Sequence, residues 1–408
     1  MGSIFKKVEI SLADSTSVTA FNRLRVANEG NRADVEFIYD KQDDLVDEVV
    51  TGSGTVTQDT NTRELILANG AATASDRASI YTYPCPYTPG NGQLIAMTGV
   101  LDYAAIGGGT AELFLRSSIS GSPVDLATFP QSQWSSLNKA SDIDWSTSHI
   151  LEMDFQSLKV GRIRFALNKS GLVVPIGEIL NDNIRNSGYW QLPQQSAFWD
   201  IKNVGAETII EMGYVDDDNA IGIRYTIPIN ASASMKAICA TVKSEGGLSI
   251  QDIPGLNRGI SNGATLKTAA ASLVPIISIR PKTTFQGYAN RGIALPKSIS
   301  VYTDNPINLV VLHDVVLTGA SWADVDINDS MMEYDVSASA YSNGHPVYHD
   351  YAGGAKNTGS SGSNLLGRTI LWNRRDPSIR SGILTVAAIR ITTTSASVGV
   401  AMNWGEIR

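Results

Sequence analysis

The sequence predicts an all-β protein: two β-sandwich, jelly-roll-like domains preceded by an extended N-terminal arm, with few helices. Three observations predict it. Apolar residues recur with a period of two in many short runs, which turns one face of each run into a core. Clusters of Gly, Ser, Asn, Asp and Pro interrupt those runs at short intervals, drawing on 36 Gly and 15 Pro in 408 residues. Runs with helical spacing are scarce, so strand follows strand without the helices that cover a parallel sheet.

Residues 1–45 read as an arm or docking segment, because residues 1–30 are too polar to form a core of their own. DDLVDEVV (43–50) fits either one short amphipathic helix or a strand. Residues 46–240 read as the first sandwich. ELFLRSS is one of its strands. In GRIRFAL, Ile163, Phe165 and Leu167 oppose Arg162 and Arg164. In IGIRYTIPI, Ile221, Ile223, Tyr225, Ile227 and Ile229 share a face, and Pro228 places the end of that strand at an edge. TGSG (51–54), TPGNG (88–92), IGGGT (106–110), SISGS (118–122) and DDDN (216–219) supply the turns.

The polar, glycine-rich stretch 244–263 marks a crossing into a second sandwich, residues 241–408. NLVVLHDVVL is apolar on both faces, as a central strand is. TVAAIRITTT and SVGVAMNW read as strands near the end of the chain. Val398, Val400, Met402 and Trp404 line one face of the latter, and an uncovered edge there would invite pairing with another copy. Residues 257–273 have the alanines for a turn or two of helix, but glycines weaken it. AGGAKNTGSSGS (352–363) reads as a long surface loop.

Composition narrows the function classes. A net charge of −8 argues against sequence-independent nucleic-acid binding, which needs a basic face. No apolar run approaches 18 residues, so no spanning helix is expected. The first residues lack the apolar core of a signal peptide, and a cytosolic start is expected. Two cysteines make no disulfide framework, which fits a reducing compartment. Cys85, between two prolines, reads as a turn or edge residue, and Cys239 as a small core residue.

Chemistry-bearing patterns are few. His345 and His349 have the spacing of two ligands on one helix face, but Gly344 and Pro346 exclude a helix and an exposed loop is expected. His313 and Asp314 are adjacent on a strand, so alternation turns them to opposite faces and His313 reads as a core or interface residue. DDDN reads as a solvated turn. Asp324, Asp326 and Asn328 have the spacing of the first ligands of a calcium loop, a weak candidate because Asp329 stands where an EF-hand needs glycine. No nucleophile elbow, P-loop or dinucleotide fingerprint occurs, and no cofactor is expected. Glu64, Glu152, Asp154 and Glu178 are the acids to test for glycosidic cleavage, each expected at the surface. The seven tryptophans are expected in core or interface packing, though some could line a sugar groove.

Several segments, in order, resemble a family of tailed-bacteriophage virion structural proteins. VTAFNRLRVAN (18–28) is similar to that group's AFGRLRVS segment, and YTYPCPYTPGNGQLIAMTGVLD (81–102) to its QRFPYQPGKSQLIFMTGVL segment. YDKQDDLVDEVVTGSGT, QSQWSSLN, DFQSLKVGRIRFAL, MKAICATVKSEGG and LTGASWADVDINDSMMEYDVSA follow the same order, from about residue 15 to the end. The chain departs from the pattern at Asn22, where the family has glycine, and in SGLVVPIGEILND, which lacks the family's His-Glu. The resemblance implies a non-enzymatic building block of a tail, baseplate, fibre or capsid appendage, assembled in the bacterial cytoplasm and resident in the virion. Its implied partners are further copies of itself, with a homotrimer as the leading arrangement, and other virion proteins, with no nucleic acid and no membrane. Phe21, Arg23 and Arg25 are its candidate docking residues. A carbohydrate-binding adhesin recognising a host-surface glycan is the alternative.

Overall fold

The computed structural model describes residues 30–70, 74–87, 91–102, 109–118, 122–134, 143–156, 159–169, 171–192, 194–217, 219–229, 231–245, 255–263, 265–353, 359–361, 369–378 and 380–408. Among them the single helical element is one 3-10 turn, Gln131–Gln133, and the strands are antiparallel. The chain is all-β, built as two sandwiches. Phe21, Arg23 and Arg25 lie outside the described residues.

Sheet 1 runs Leu172–Ile179, Ile163–Lys169, Ser148–Gln156, Gly92–Asp102, Ser234–Ser244, Leu65–Ala68, Thr55–Gln58. Sheet 2 runs Val46–Thr51, Arg77–Thr82, Gln194–Val204, Glu207–Val215, Ala220–Ile227, Thr110–Ser117, Val124–Pro130. The inward faces of both sheets meet in one core. Ile95, Met97, Leu151, Met153 and Val242 come from sheet 1, and Trp199, Ile210, Met212, Ile221 and Ile223 from sheet 2. The alternation read in IGIRYTIPI is therefore the core face of Ala220–Ile227.

Sheet 3 has Ala396–Ile407 at its centre, between Leu256–Ser261 and Ile293–Thr303. Sheet 4 runs Ala323–Asp324, Met332–Asp335, Val274–Pro281, Leu384–Arg390, Ile307–Thr318, Ala340–Ala352. Ile307–Thr318 is buried on both faces, as its double apolar pattern requires. Leu309 and Val311 face the core between the sheets, while Val310 and Leu312 join a second cluster on the outer side.

Several expectations are corrected. Gly30–Glu36, assigned to the arm, is a strand that pairs with Ser234–Ser244 and sends Ala33, Val35 and the following Phe37 into the core. The first sandwich thus begins inside the supposed arm and ends at Ser244, past residue 240. Of the two readings open for DDLVDEVV the strand holds, as Val46–Thr51, while residues 257–273 form no helix and hold parts of two strands, Leu256–Ser261 and Lys267–Ala269. The strands near the end of the chain are not edges: Leu384–Arg390 and Ala396–Ile407 each have a neighbour on both sides, and their apolar faces fill their own core. Cys85 is buried in a two-residue strand, whereas Cys239 is half-buried beside a register shift in Ser234–Ser244. Much of the expected loop 352–363 falls outside the described residues, but Gly359–Ser361 pairs with Ile293–Thr303.

One pair of glycines has a steric reason. Gly213 and Gly222 face each other in sheet 2, and a Cβ on Gly213 would lie 2.0 Å from the Ile221 carbonyl oxygen. Gly213→Ala should lower the melting temperature, because the two backbones would have to part. Phe37→Ala should lower the unfolding free energy by about 3–5 kcal/mol, since the ring is buried against Trp199 at 5.8 Å between centroids. Urea unfolding checks both, and an unchanged midpoint for Phe37→Ala would return residue 37 to the arm.

Candidate functional site at the seam between the sandwiches

The two sandwiches meet through the segment that follows Leu371–Trp372. Asp47, buried on the edge strand Val46–Thr51, receives three donors from it. Trp372 Nε1 donates to Oδ2 at 3.4 Å, Arg374 Nη1 to Oδ1 at 3.3 Å, and the Arg375 backbone N–H to Oδ2 at 3.0 Å. Arg374 Nη1 also donates to the Asp43 and Val46 carbonyls, each at 3.1 Å, while its guanidinium lies 3.7 Å from the centre of the Trp372 ring. Trp372, Ile293 and Ile407 join the core of the first sandwich, so apolar packing is continuous across the seam.

The DDDN turn is the second contact. The expected solvated turn is only partly so: Asp217 is exposed, but its flanks are not, and Asp218 lies outside the described residues. Asp216 and Asn219 are buried, and Asp216 accepts from the Gln191 and Leu192 backbones and from Asn219. Burial raises the Asp216 carboxyl above its ordinary range despite those donors. Asp217 pairs with Arg291 at 2.5 Å and Arg375 at 3.3 Å, and Arg375 lies over the Tyr81 ring at 4.1 Å. Burial, with Arg291 alongside, lowers Arg375 below the ordinary guanidinium range.

From there a ladder of charges crosses the outer face of sheet 2. Asp200, Glu211, Arg224 and Glu112 stand in register on neighbouring strands. Asp200 accepts from Arg77 Nε at 2.8 Å and Lys202 Nζ at 2.8 Å. Lys202 Nζ reaches Glu211 at 3.0 Å, and Glu211 also holds Arg116 at 3.0 Å and Arg224 at 2.8 Å. Arg224 continues to Glu112 at 3.0 Å and Asp125 at 2.7 Å. Both central carboxylates are 1% exposed. Burial alone would raise them, but Lys202 with Arg116 and Arg224 holds Glu211 far below the carboxylate range, and Lys202 with Arg77 lowers Asp200. Glycosidic cleavage needs one carboxylic acid with a raised pKa to protonate the leaving oxygen, and this pair supplies two fixed anions.

A third cluster lies at the same seam. Asp314 has φ of 59°, and the pairing passes from His313↔His345 to Val315↔Asn343 around it. The regular alternation is thus broken, and His313 Nδ1 comes to 3.5 Å from Asp314 Oδ2, against the expectation of opposite faces. His345 sits in the strand Ala340–Ala352 and not in a loop, with its ring 5.5 Å from that of His313 at 88°. His345 Nε2 is 3.7 Å from Asp44 Oδ2. One ligand atom from each of Asp44, His313 and His345 lies within 4.8 Å of the others. His349 pairs with Val310 farther along and is not in this group. Burial lowers His313 to about 4.

The remaining sequence candidates do not converge. Lys282 Nζ sits 2.7 Å from Asp324 Oδ1 and 3.0 Å from the Asp326 carbonyl, so an ammonium occupies the place of the supposed calcium. Asp326 caps its own turn at the backbone of Asn328 and Asp329. Glu64 pairs with Lys236 and Glu178 with Arg162, while Glu152 is half-buried. Asp154, expected at the surface, is buried beside Arg164. Trp134, Trp145, Trp190, Trp199, Trp372 and Trp404 are buried, and Trp322 is half-covered by Arg280. Asp47, Arg374 and Arg375 were missed by the sequence reading. The two arginines' only signal is WNRRDP, where they stand between a tryptophan and a proline, and Asp47 has none.

No family model matches the chain, and no curated protein matches it. Among solved structures it is similar to an endo-1,3-beta-glucanase from Streptomyces sioyaensis, at 10% identity and a TM-score of 0.32, over 53% of this chain and 97% of that one. It is also similar to the lectin UEA-II complexed with galactose, at 10% identity and a TM-score of 0.20, over 53% and 99%. A third is the CBM2 module of the evolved Dit of Lactobacillus casei BL23 phage J-1, at 9% identity and 0.21, over 53% and 95%. Likenesses this distant carry no argument about function.

Arg374→Ala should cost about 3–5 kcal/mol, because Asp47 would keep a buried charge without its guanidinium. Denaturant unfolding checks this, and a loss under about 1 kcal/mol would show that the seam does not depend on the pair. The ladder gives a pH dependence of definite sign. Asp200 and Glu211 have folded pKa values below their unfolded ones, so their stabilisation is complete above about pH 4–5. It is lost progressively as pH falls from there toward the folded values. The melting temperature should therefore drop on acidification, and Asp200→Asn with Glu211→Gln should flatten that slope.

Proposed function

We propose that the chain is a non-enzymatic structural component of a tailed-bacteriophage virion, acting as a homo-oligomer. The observation that carries this reading is the seam. Trp372, Arg374 and Arg375 key the second sandwich onto Asp47 and the 216–219 turn of the first, so the two modules behave as one block. A repeating building block must keep its docking faces in a constant relation, and buried ion pairs with continuous apolar packing do that. The buried Asp200–Glu211 pair, held as anions, supports a structural role over glycoside hydrolysis. The ordered resemblance of the sequence segments supplies the particle.

Copies would meet at sheet edges. Ala340–Ala352 is a 13-residue strand on the open side of sheet 4, with Tyr351 72% exposed. A long edge that the described residues leave uncovered is a place for a partner to pair. Light scattering on purified protein should give a trimer, and antibodies against the chain should label purified particles at one fixed position. A monomer at micromolar concentration would overturn the oligomer, and unlabelled particles the virion role.

A host glycan is the second reading, favoured by one cleft. It has a volume of about 330 Å³ and is lined by Arg280, Arg291, Arg374 and Arg375 around Trp372. Arg374 is buried against Asp47, and the other three guanidiniums suit an acidic sugar better than a neutral one. An array of acidic glycans should give a signal that Arg291→Ala removes, and an array with no signal for the wild-type protein would sink this reading.

A further inference from the structure

We propose that Asp44, His313 and His345 form a binding site for a single divalent transition-metal ion, of the Zn²⁺ type, that bridges the two sandwiches. Asp44 precedes the strand Val46–Thr51 of the first sandwich, and the histidines face each other on Ile307–Thr318 and Ala340–Ala352 of the second. Three observations carry the assignment.

The first is geometry. Zinc holds imidazole nitrogens at about 2.0–2.1 Å in a tetrahedral array, which sets two ligating rings about 5 Å apart between centroids. The His313 and His345 rings are 5.5 Å apart. His345 Nε2 and Asp44 Oδ2 are 3.7 Å apart, close to the edge of such a tetrahedron. All three donors already lie within 4.8 Å of one another, and the exposure of Asp44 gives the ion a way in from solvent.

The second is the state of His313. Its residue is 5% exposed, and among the described residues its Nε2 has no hydrogen-bond partner. A buried imidazole nitrogen without a partner is costly, and coordination would satisfy it. Its Nδ1 lies 3.5 Å from Asp314 Oδ2, longer than a hydrogen bond but placed where closure would give the carboxylate–histidine relation that fixes the ring of a metal ligand. Asp314 is itself held, by the Gly382 N–H at 2.8 Å and by Arg380 at 3.5 Å. Arg380 also pairs with Asp44 through Oδ1 at 3.7 Å, which leaves Oδ2 turned to His345.

The third is charge. The carboxylates of Asp43, Asp44, Asp47 and Asp314 stand against two guanidiniums, Arg374 and Arg380. Two negative charges are left over, which one divalent cation balances.

Chelator-treated full-length protein titrated with Co²⁺ and then Zn²⁺ tests the site. One Co²⁺ per chain should develop the visible absorption of a four-coordinate site, and Zn²⁺ should displace it. His345→Ala and Asp44→Asn, at half-buried and exposed positions, should each weaken binding at least tenfold while the metal-free circular dichroism spectrum stays unchanged. Asp314→Asn, which alters a positioning residue, should weaken it about 10–100-fold. Zn²⁺ should raise the melting temperature of the wild type and not that of Asp44→Asn. Absence of saturable binding near one ion per chain, or variants that bind like the wild type, would overturn the proposal.

Discussion

The architecture depends on a buried carboxylate meeting a buried guanidinium across two modules. Asp47 lies at the edge of sheet 2, where its strand has a neighbour on one side only. Arg374, with a side chain 1% exposed, closes that edge by taking the Asp47 carboxylate and two carbonyls of the same stretch. A sheet edge left open is a hazard, and a buried charge left unpaired is costly. The seam answers both with one residue. Trp372 lies beneath the guanidinium and extends the first core into the second sandwich, so polar and apolar terms favour the same docking.

The same logic extends over the outer face of sheet 2. A face that carries Asp200, Glu211, Arg224 and Glu112 in register would ordinarily be solvated. Here long cationic side chains lie across it, their stems covering sheet surface while their heads satisfy the carboxylates. Phe114 lies under Arg224 at 4.4 Å and Tyr81 under Arg375 at 4.1 Å. The network ties six strands of sheet 2 together laterally, and Arg77 carries it to Tyr81, on whose ring Arg375 of the second sandwich lies. Its two buried acids, Asp200 and Glu211, are held as anions by the cations around them and lack the environment of a proton donor.

Much of the fold was legible in the sequence because strand alternation is a local property. Ile221, Ile223, Tyr225 and Ile227, or Val398, Val400, Met402 and Trp404, announce a core face without reference to anything distant. The arm was misjudged because Ala33, Val35 and Phe37 form a short stretch among polar residues, and their partner strand begins at Ser234. The seam was not legible: Asp47 and Arg374 are 327 residues apart, and only the folded topology brings them together. The His313–Asp314 relation failed for a different reason. It turns on one left-handed residue, and aspartate adopts that conformation too seldom for the sequence to announce it.

The pairing of Gly30–Glu36 with Ser234–Ser244 has a consequence for synthesis of the chain. Among the described residues the first sandwich is closed by its earliest and latest strands, so its opening segment must wait while the intervening residues leave the ribosome. At about 5–20 residues per second that interval is on the order of 10–40 s. Throughout it, Ala33, Val35 and Phe37 are nascent apolar side chains without a sheet to join, and competing contacts or a chaperone have access to them. The vulnerable stage of this protein's life is therefore translational, before the covering strand has been made.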